Sequence, residues 1–457
     1  MTQSKIWQSK KSVPLDATIE KFTVGPDLDM DARLVKYDVI ASTAHAAMLS
    51  KMGHLKKLEF SKLKKELKTI LDKVEADKFS LKGQEDMHSA IEAELIKKLG
   101  KLGGKIHLGR SRNDQSAVAI RLFAKKEVLE IQAELLAVIE TLLKLAKKWS
   151  KIPMPGYTHV RPAMPSSVGL YFGAFAEALN DDYQSIKSVL ETFDSCPLGA
   201  SAGYGSTVPV DRKLTAKLLG FARVQNNSLS TQIARGQMET AILGALTNFS
   251  VTTSRLSNDL IYFSSSAYDF FVLGDNVSTG SSIMPQKRNP DPLEILRGTP
   301  GLLLGFHTQV ATISKGLPSG YQRDLQLTKK PLVEGIKLAK HALQALNVVL
   351  KNISINKKQL IEAASDPQLY AAEMANDLVM KDGLSFREAY KKVKDVYLSG
   401  EKLAPRNPQT TIQKSKSLGM SGNLNLKPTQ DLLSREKRSL NIVRKKFAGF
   451  LQKIWQI

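Results

Sequence analysis

Three long stretches of helical periodicity limit what this chain can fold into. Val128, Ile131, Leu135, Val138, Leu142, Leu145 and Trp149 recur at spacings of three and four, with Glu, Gln and Lys on the other faces. A second stretch, from about Thr231 to Phe263, carries Ile242, Ala245, Phe249, Thr252 and Leu256, and its Gly236, Gly244 and Ala245 permit close backbone approach. The third runs Ile336, Ala339, Leu343, Leu346, Leu350, Ile353. No sustained period-two alternation points to a large sheet. Helices this long cannot bury such stripes alone. They must pack on one another in a shallow-angle bundle, within a monomer or with copies from other chains.

With 457 residues, 42% hydrophobic and 24% charged, the chain is sized for two to four structural units and is unlike a disordered polymer. The single cysteine, Cys196, excludes an intramolecular disulfide and a cysteine zinc site, and fits a reducing compartment, with cytoplasm the default. Met1 to Ser12 carries Lys5, Lys10 and Lys11 and lacks the apolar core of a secretory signal. No apolar run has the length of a membrane span. The 66 basic against 44 acidic residues give a net charge of +22. Half of that excess lies in Lys391–Ile457, with 15 Lys/Arg against 4 Asp/Glu. The lysines there alternate with Leu, Ser and Asn, without the aromatic platforms of a single-strand binder, which favours a solvated basic face over a nucleic-acid site.

Punctuation divides the chain into three. Residues 1–110 hold shorter helices, one lysine-rich from about Phe60 to Lys78, and end in the glycine-rich Gly100–Gly109. Residues 111–364 hold the long helices, interrupted by Pro/Gly-rich loops at 153–165, 197–209 and 274–301. Residues 365–457 open at Asp366-Pro367, an N-cap followed by a proline suited to a first helical position; Gly383 closes that helix and Ser385 with Glu388 forms the next capping box.

Three polar stretches border the long helices. Gly109-Arg110-Ser111-Arg112-Asn113-Asp114-Gln115 sets two guanidiniums beside a glycine and a helix N-terminus, which suits a carboxylate, although a plain cap with solvated arginines has the same composition. Gly156-Tyr157-Thr158-His159-Val160-Arg161-Pro162 holds a histidine flanked by a hydroxyl, with an arginine nearby, in a proline-bounded loop; such a residue serves proton transfer near neutral pH or a structural role. Thr279-Gly280-Ser281-Ser282-Ile283-Met284-Pro285-Gln286-Lys287-Arg288-Asn289-Pro290, followed by Glu294, gathers cationic and amide donors on a loop with mobile ends.

The Gly280–Pro290 string resembles the signature loop of the fumarase/aspartase superfamily, and Gly109–Gln115 with Gly156–Pro162 is similar to the argininosuccinate lyase branch. Glu85-Asp86-Met87-His88-Ser89-Ala90, Pro197-Leu198-Gly199 with Gly203-Tyr204-Gly205, and Tyr321-Gln322-Arg323-Asp324-Leu325-Gln326 also match, so the resemblance runs from about Ile6 to about Glu401. It implies an all-α, three-domain lyase whose central long-helix bundle is completed by tetramerisation. Each active site would be shared by three subunits of a homotetramer. Branch members split argininosuccinate into arginine and fumarate with neither metal nor organic cofactor, and no membrane or nucleic-acid partner is implied.

Abstracting a proton beside a carboxylate creates a doubly charged aci-carboxylate. A positioned base supplies about 10²–10⁴ of the rate, whereas enzymes reach at least about 10⁶, so preorganised donors must supply the rest. By resemblance, Ser281 is the general base, Lys287 and Asn289 stabilise the charge, and His159 serves the leaving group with Glu294 orienting it. Arg112, Asn113 and Thr158 would hold substrate carboxylates, and Tyr321, Gln326 and Lys329 the remaining end. A serine hydroxyl acts as a base only if its alkoxide is stabilised by Lys287 or backbone N–H groups. Arg288 stands where the family usually has a second lysine, Gly25 where many members place a substrate-contacting serine, and Leu108 in place of the usual threonine. Adenylosuccinate lyase, fumarase or aspartase activity, or a catalytically silent crystallin-like relative, are the alternatives.

Overall fold

The computed structural model describes residues 15–25, 27–401 and 403–457; the segment bearing Lys5, Ile6, Lys10 and Lys11 lies outside the described residues. The N-terminal part holds α1 (Ala17–Val24), α2 (Asp27–Lys51), α3 (Lys57–Glu75), α4 (Met87–Leu99) and the single turn α5 (Lys101–Gly104). The central part holds α6 (Arg112–Lys148), α7 (Val168–Phe193), α8 (Arg212–Leu218), the turn α9 (Ser230–Ile233), α10 (Gln237–Phe263), α11 (Asp291–Ser314) and α12 (Lys329–Lys351). The remainder holds α13 (Lys357–Ala364), α14 (Ala371–Asp382), α15 (Phe386–Leu398), α16 (Pro408–Lys414) and α17 (Lys427–Lys453).

The stripes are the core of this bundle. Val128, Ile131, Leu135, Val138 and Leu142 on α6 are fully buried, as are Phe249 and Leu256 on α10 and Leu343, Leu346 and Leu350 on α12. Helix α10 packs antiparallel on α11 and α7, and α6 antiparallel on α7, whereas α6 and α12 run parallel, with Glu127 opposite Lys340 and Thr141 opposite Asn347. Helix α17 returns to lie on α6 and α7.

Several sequence expectations are corrected in detail. The stretch from Thr231 is broken at Gly236, which sits at φ +80°; a Cβ there would come within 1.9 Å of the Ser314 hydroxyl, so the chain turns before α10 begins. The loop expected over 274–301 ends at Pro290, because α11 starts at Asp291 and carries Pro300 in its interior. The loop at 153–165 is a hairpin of β1 (Pro153–Thr158) and β2 (Arg161–Ser167). Residues 1–110 hold a long helix as well as short ones: α2 has 25 residues and is buried nearly all round from Met30 to Leu49, which erases periodicity from its sequence. Strands β3 (Ser195–Cys196) and β4 (Arg223–Val224) pair in parallel; β5 (Phe271–Leu273) pairs with β8 (Ile353–Ile355), and β6 (Thr279–Gly280) with β7 (Arg288–Asn289). The caps Asp366, Gly383 and Ser385/Glu388 form as their residues dictate.

Candidate active site

At one end of the bundle the first turn of α6 is fixed from both sides. Ser111 caps the helix in a box with Asp114, whose buried carboxylate accepts from Ser111, Gly199 and Ser201 N–H, each at 2.9 Å. Burial pushes the Asp114 carboxyl up to about 6 against these three donors. The 197–205 loop is thereby tied to the two residues, Arg112 and Asn113, that open the helix. Arg112 lies 3.0 Å from Glu85 and 3.1 Å from Asp86, and donates to the Ser89 hydroxyl at 3.0 Å. Burial works against its charge, but Asp86 and Glu85 outweigh it and hold the guanidinium above its ordinary value.

Lys329, at the start of α12, is buried and donates to Asp27 at 2.8 Å and Asp31 at 2.7 Å. Burial opposes this charge too, and the two aspartates prevail. Asp31 also accepts from the Met87 N–H at 3.0 Å, which joins α2 to the start of α4. Gln326 donates to the Thr23 carbonyl at 3.0 Å, and Arg323 reaches the same oxygen at 3.2 Å. Arg235 lies over the Tyr321 ring, 5.5 Å from its centroid, and donates to the Asn113 carbonyl at 3.5 Å. Arg112, Asn113, Tyr321, Gln326 and Lys329 thus share one neighbourhood.

Thr158, His159, Ser281, Lys287, Asn289 and Glu294 lie at the other end. Tyr157, just before the hairpin turn, packs on Phe263 at the last residue of α10. The turn itself places His159 at φ +52° and Val160 at φ +59°, a two-residue left-handed connection that matches strand twist but that a β-branched residue rarely adopts. His159 stands exposed at its tip. In the signature loop, β6 and β7 bring Thr279 opposite Asn289 and Gly280 opposite Arg288, Thr279 hydrogen-bonds Asp291, and Arg288 lies 3.5 Å from Asp275. The Ser281 hydroxyl oxygen accepts from the Met284 N–H at 3.1 Å and the Ile283 N–H at 3.4 Å. Lys287 follows on the exposed return of the loop, its N–H bonded to the Met284 carbonyl, and Glu294 is exposed on the first turn of α11. Among the described residues no hydrogen bond or ion pair joins His159 to Glu294, or either of them to Ser281.

The two groups are far apart within one chain. The base of the signature loop is held by Asn352, just past the end of α12, through Gly274 N–H at 3.0 Å and Asn276 at 2.9 Å. Lys329 begins that 23-residue helix, and at a rise of about 1.5 Å per residue the separation is about 34 Å. The candidate residues of one chain therefore fall into two groups at opposite ends of its bundle.

A family model described as Lyase matches residues 9–305. The chain is 40% identical over 390 residues to the argininosuccinate lyase of Bacteroides thetaiotaomicron, covering 85% of this chain and 86% of the relative. Against that of Thermotoga neapolitana it is 39% identical over 394 residues, covering 86% and 98%, and against that of Sorangium cellulosum 38% over 435 residues, covering 95% and 99%.

The chain belongs to the argininosuccinate lyase family.

Its fold is shared more widely. The crystal structure of EDDS lyase in complex with formate superposes with a TM-score of 0.80 at 22% identity over 97% of both chains, and the class II fumarase from Schistosoma mansoni with 0.71 at 17%, over 83% of this chain and 89% of that one.

Within this argininosuccinate lyase family member, sequence reasoning missed the acidic partners. Asp27 and Asp31 sit four residues apart on one face of α2, a spacing visible in the sequence, and nothing local to Glu85-Asp86 marks it as the partner of Arg112. The Leu108 side chain is exposed where the family places a threonine, while its carbonyl accepts from the buried His45 at 2.8 Å. Gly25 brings no side chain to this place, and two residues earlier the Thr23 carbonyl accepts from Gln326 and Arg323.

Proposed function

We propose that this lyase eliminates fumarate from L-argininosuccinate, releasing L-arginine in arginine biosynthesis. The observation that carries the reading is the pair of backbone N–H groups, Met284 and Ile283, directed at the Ser281 oxygen. That arrangement favours an alkoxide, the form in which a serine can take a proton from carbon. In this reading Ser281 is the base, and Lys287 with Asn289 faces the aci-carboxylate. His159, oriented by Glu294, protonates the departing guanidino nitrogen. Arg112, Asn113 and Thr158 bind carboxylates, and Tyr321, Gln326 and Lys329 bind the amino-acid end. No metal or organic cofactor takes part.

A chain with half-sites at both ends completes them with other copies, and a homotetramer with sites shared between subunits is the assembly we propose. Support comes from α11, where Ile295 is 72% exposed, Leu302 58% and Leu304 53%. Gly298, Gly301 and Gly305 on the same helix have nothing within 4 Å of a would-be Cβ. An apolar, small-residue face of this extent is suited to close helix packing. Division of the chain at residues 110 and 364 is supported by the start of α6 at Arg112 and the end of α13 at Ala364. A cytoplasmic location is supported by the lone buried thiol of Cys196; among the described residues no helix is long and apolar enough to cross a membrane.

The test is fumarate release from argininosuccinate, followed by absorbance. The wild type should produce fumarate, while Ser281→Ala should still bind argininosuccinate and turn over about 10²–10⁴-fold more slowly. Unchanged turnover in that variant removes Ser281 from the chemistry. Absence of fumarate with the wild type returns the chain to a silent, crystallin-like role.

A further inference from the structure

The basic excess of the C-terminal part has a local counterpart away from both half-sites. Between α17, α8 and the β4 segment lies an open groove of about 600 Å³, within the size range of small-molecule sites. Lys213 and Lys217 from α8, Arg223 from β4 and Lys446 from α17 line it. Among the described residues Lys213, Lys217 and Lys446 have no carboxylate partner, and Arg223 donates only to the Thr192 carbonyl, at 2.9 Å. Asp194 is the acid in this groove. Its carboxylate is already taken by the buried Lys125, at 2.7 and 2.8 Å, which also donates to the Gly220 carbonyl at 2.8 Å.

The floor is aromatic. Phe221 and Phe447 are buried beneath it, each within cation–π range of Lys125, and Phe450 closes one side against Gly220. At Gly220, φ is +70° and a Cβ would meet the Phe450 ring at 2.6 Å, so this wall is closely fitted. Burial holds Lys125 below its ordinary value despite Asp194, and the Lys446 charge pushes in the same direction. Like charges crowded on an apolar floor repel one another, and a bound anion relieves that repulsion.

We propose that this groove is a binding site for a nucleoside di- or triphosphate, with the phosphates between Lys213, Lys217, Arg223 and Lys446 and the base against the accessible apolar wall of Ile442, Val443 and the half-buried Phe450. Four unneutralised cations match a polyphosphate better than a single carboxylate, and the exposed Ile442 and Val443 beside Phe450 give a planar base an apolar surface that an inorganic anion would leave uncovered. The site is separate from the substrate-binding residues at both ends of the bundle.

Isothermal titration of the full chain with ATP, inorganic tripolyphosphate and adenosine tests this. ATP should bind once per chain, with the other two at least about tenfold weaker. The charge reversals Lys217→Glu and Lys446→Glu together should weaken ATP by at least about tenfold, whereas Lys97→Glu with Lys98→Glu, the same charge change on α4, should alter it by less than about twofold. Without ATP the first pair should keep its fumarate-release rate within about twofold, which shows that it is folded. Equal losses in both pairs, tripolyphosphate binding as tightly as ATP, or no ATP binding to the wild type would each overturn the proposal.

Discussion

His45 offers a quantitative test of how the Arg112 end of the bundle is built. It lies on α2 with no exposed surface, donates from Nε2 to the Leu108 carbonyl at 2.8 Å, and has no partner for Nδ1 among the described residues. This bond pins the segment that leads through Gly109 into the first turn of α6, where Arg112 and Asn113 sit. Burial, and then the nearby Arg110, push the imidazole down to about 3 from an ordinary 6.5. Because the folded-state value is the lower one, the unfolded chain binds more protons between these two values. The contribution of His45 to stability is therefore complete above pH 6.5 and declines as pH falls through that window. Between pH 7 and pH 5 the loss is about 2 kcal/mol from linkage. His45→Gln keeps a donor for the Leu108 carbonyl and removes the titration. Apparent unfolding free energies from urea titrations at pH 7 and pH 5 give the comparison, in which other titrating groups such as Asp27, Asp114 and Glu239 cancel between the two proteins. The wild type should lose about 2 kcal/mol more than the variant over this interval. Parallel losses, equal to within about 0.5 kcal/mol, would refute a neutral, buried His45.

Lys329→Met strands two carboxylates, Asp31 without any exposure, and should destabilise the chain by about 3–5 kcal/mol in thermal or urea unfolding. The deficit should shrink as pH falls, since unpaired aspartates take up protons at raised pKa values; a deficit independent of pH would contradict the ion-pair account. In the wild type the raised Lys329 value contributes stability below pH 10.5 that disappears as pH rises through the folded-state value. Val160→Gly removes backbone strain of about 1–3 kcal/mol against a glycine entropy penalty of about 0.5–1 kcal/mol. The melting temperature should therefore hold or rise, and a clear fall would show that the turn is unstrained.

The bundle was legible because α6, α10 and α12 each turn one apolar stripe inward and leave polar faces outside. The same reading passed over α7, although Val168, Phe172, Ala176, Leu179, Tyr183 and Ile186 are buried at the same spacing. In α11, glycines and Pro300 hid a helix behind residues that usually end one, and in α2 burial on every side left no polar face to mark its period. Motif strings located the candidate residues but not their partners. Nothing local to Lys329 announces Asp27 and Asp31, which lie 302 and 298 residues away in sequence. Nor could the strings show that Ser281 and Lys329 face opposite ends of one chain, because that follows from the antiparallel packing of helices about 34–40 Å long.

The most direct test mixes two variants disabled at opposite ends, Lys329→Ala and His159→Asn, each of which should release almost no fumarate. After dissociation and reassembly in equal amounts, a site drawing these groups from different chains finds both intact about one time in four. The account predicts recovery of about a quarter of wild-type activity per chain. No recovery above the separate variants, in assemblies shown to contain both, would mean that each active site is made within one chain.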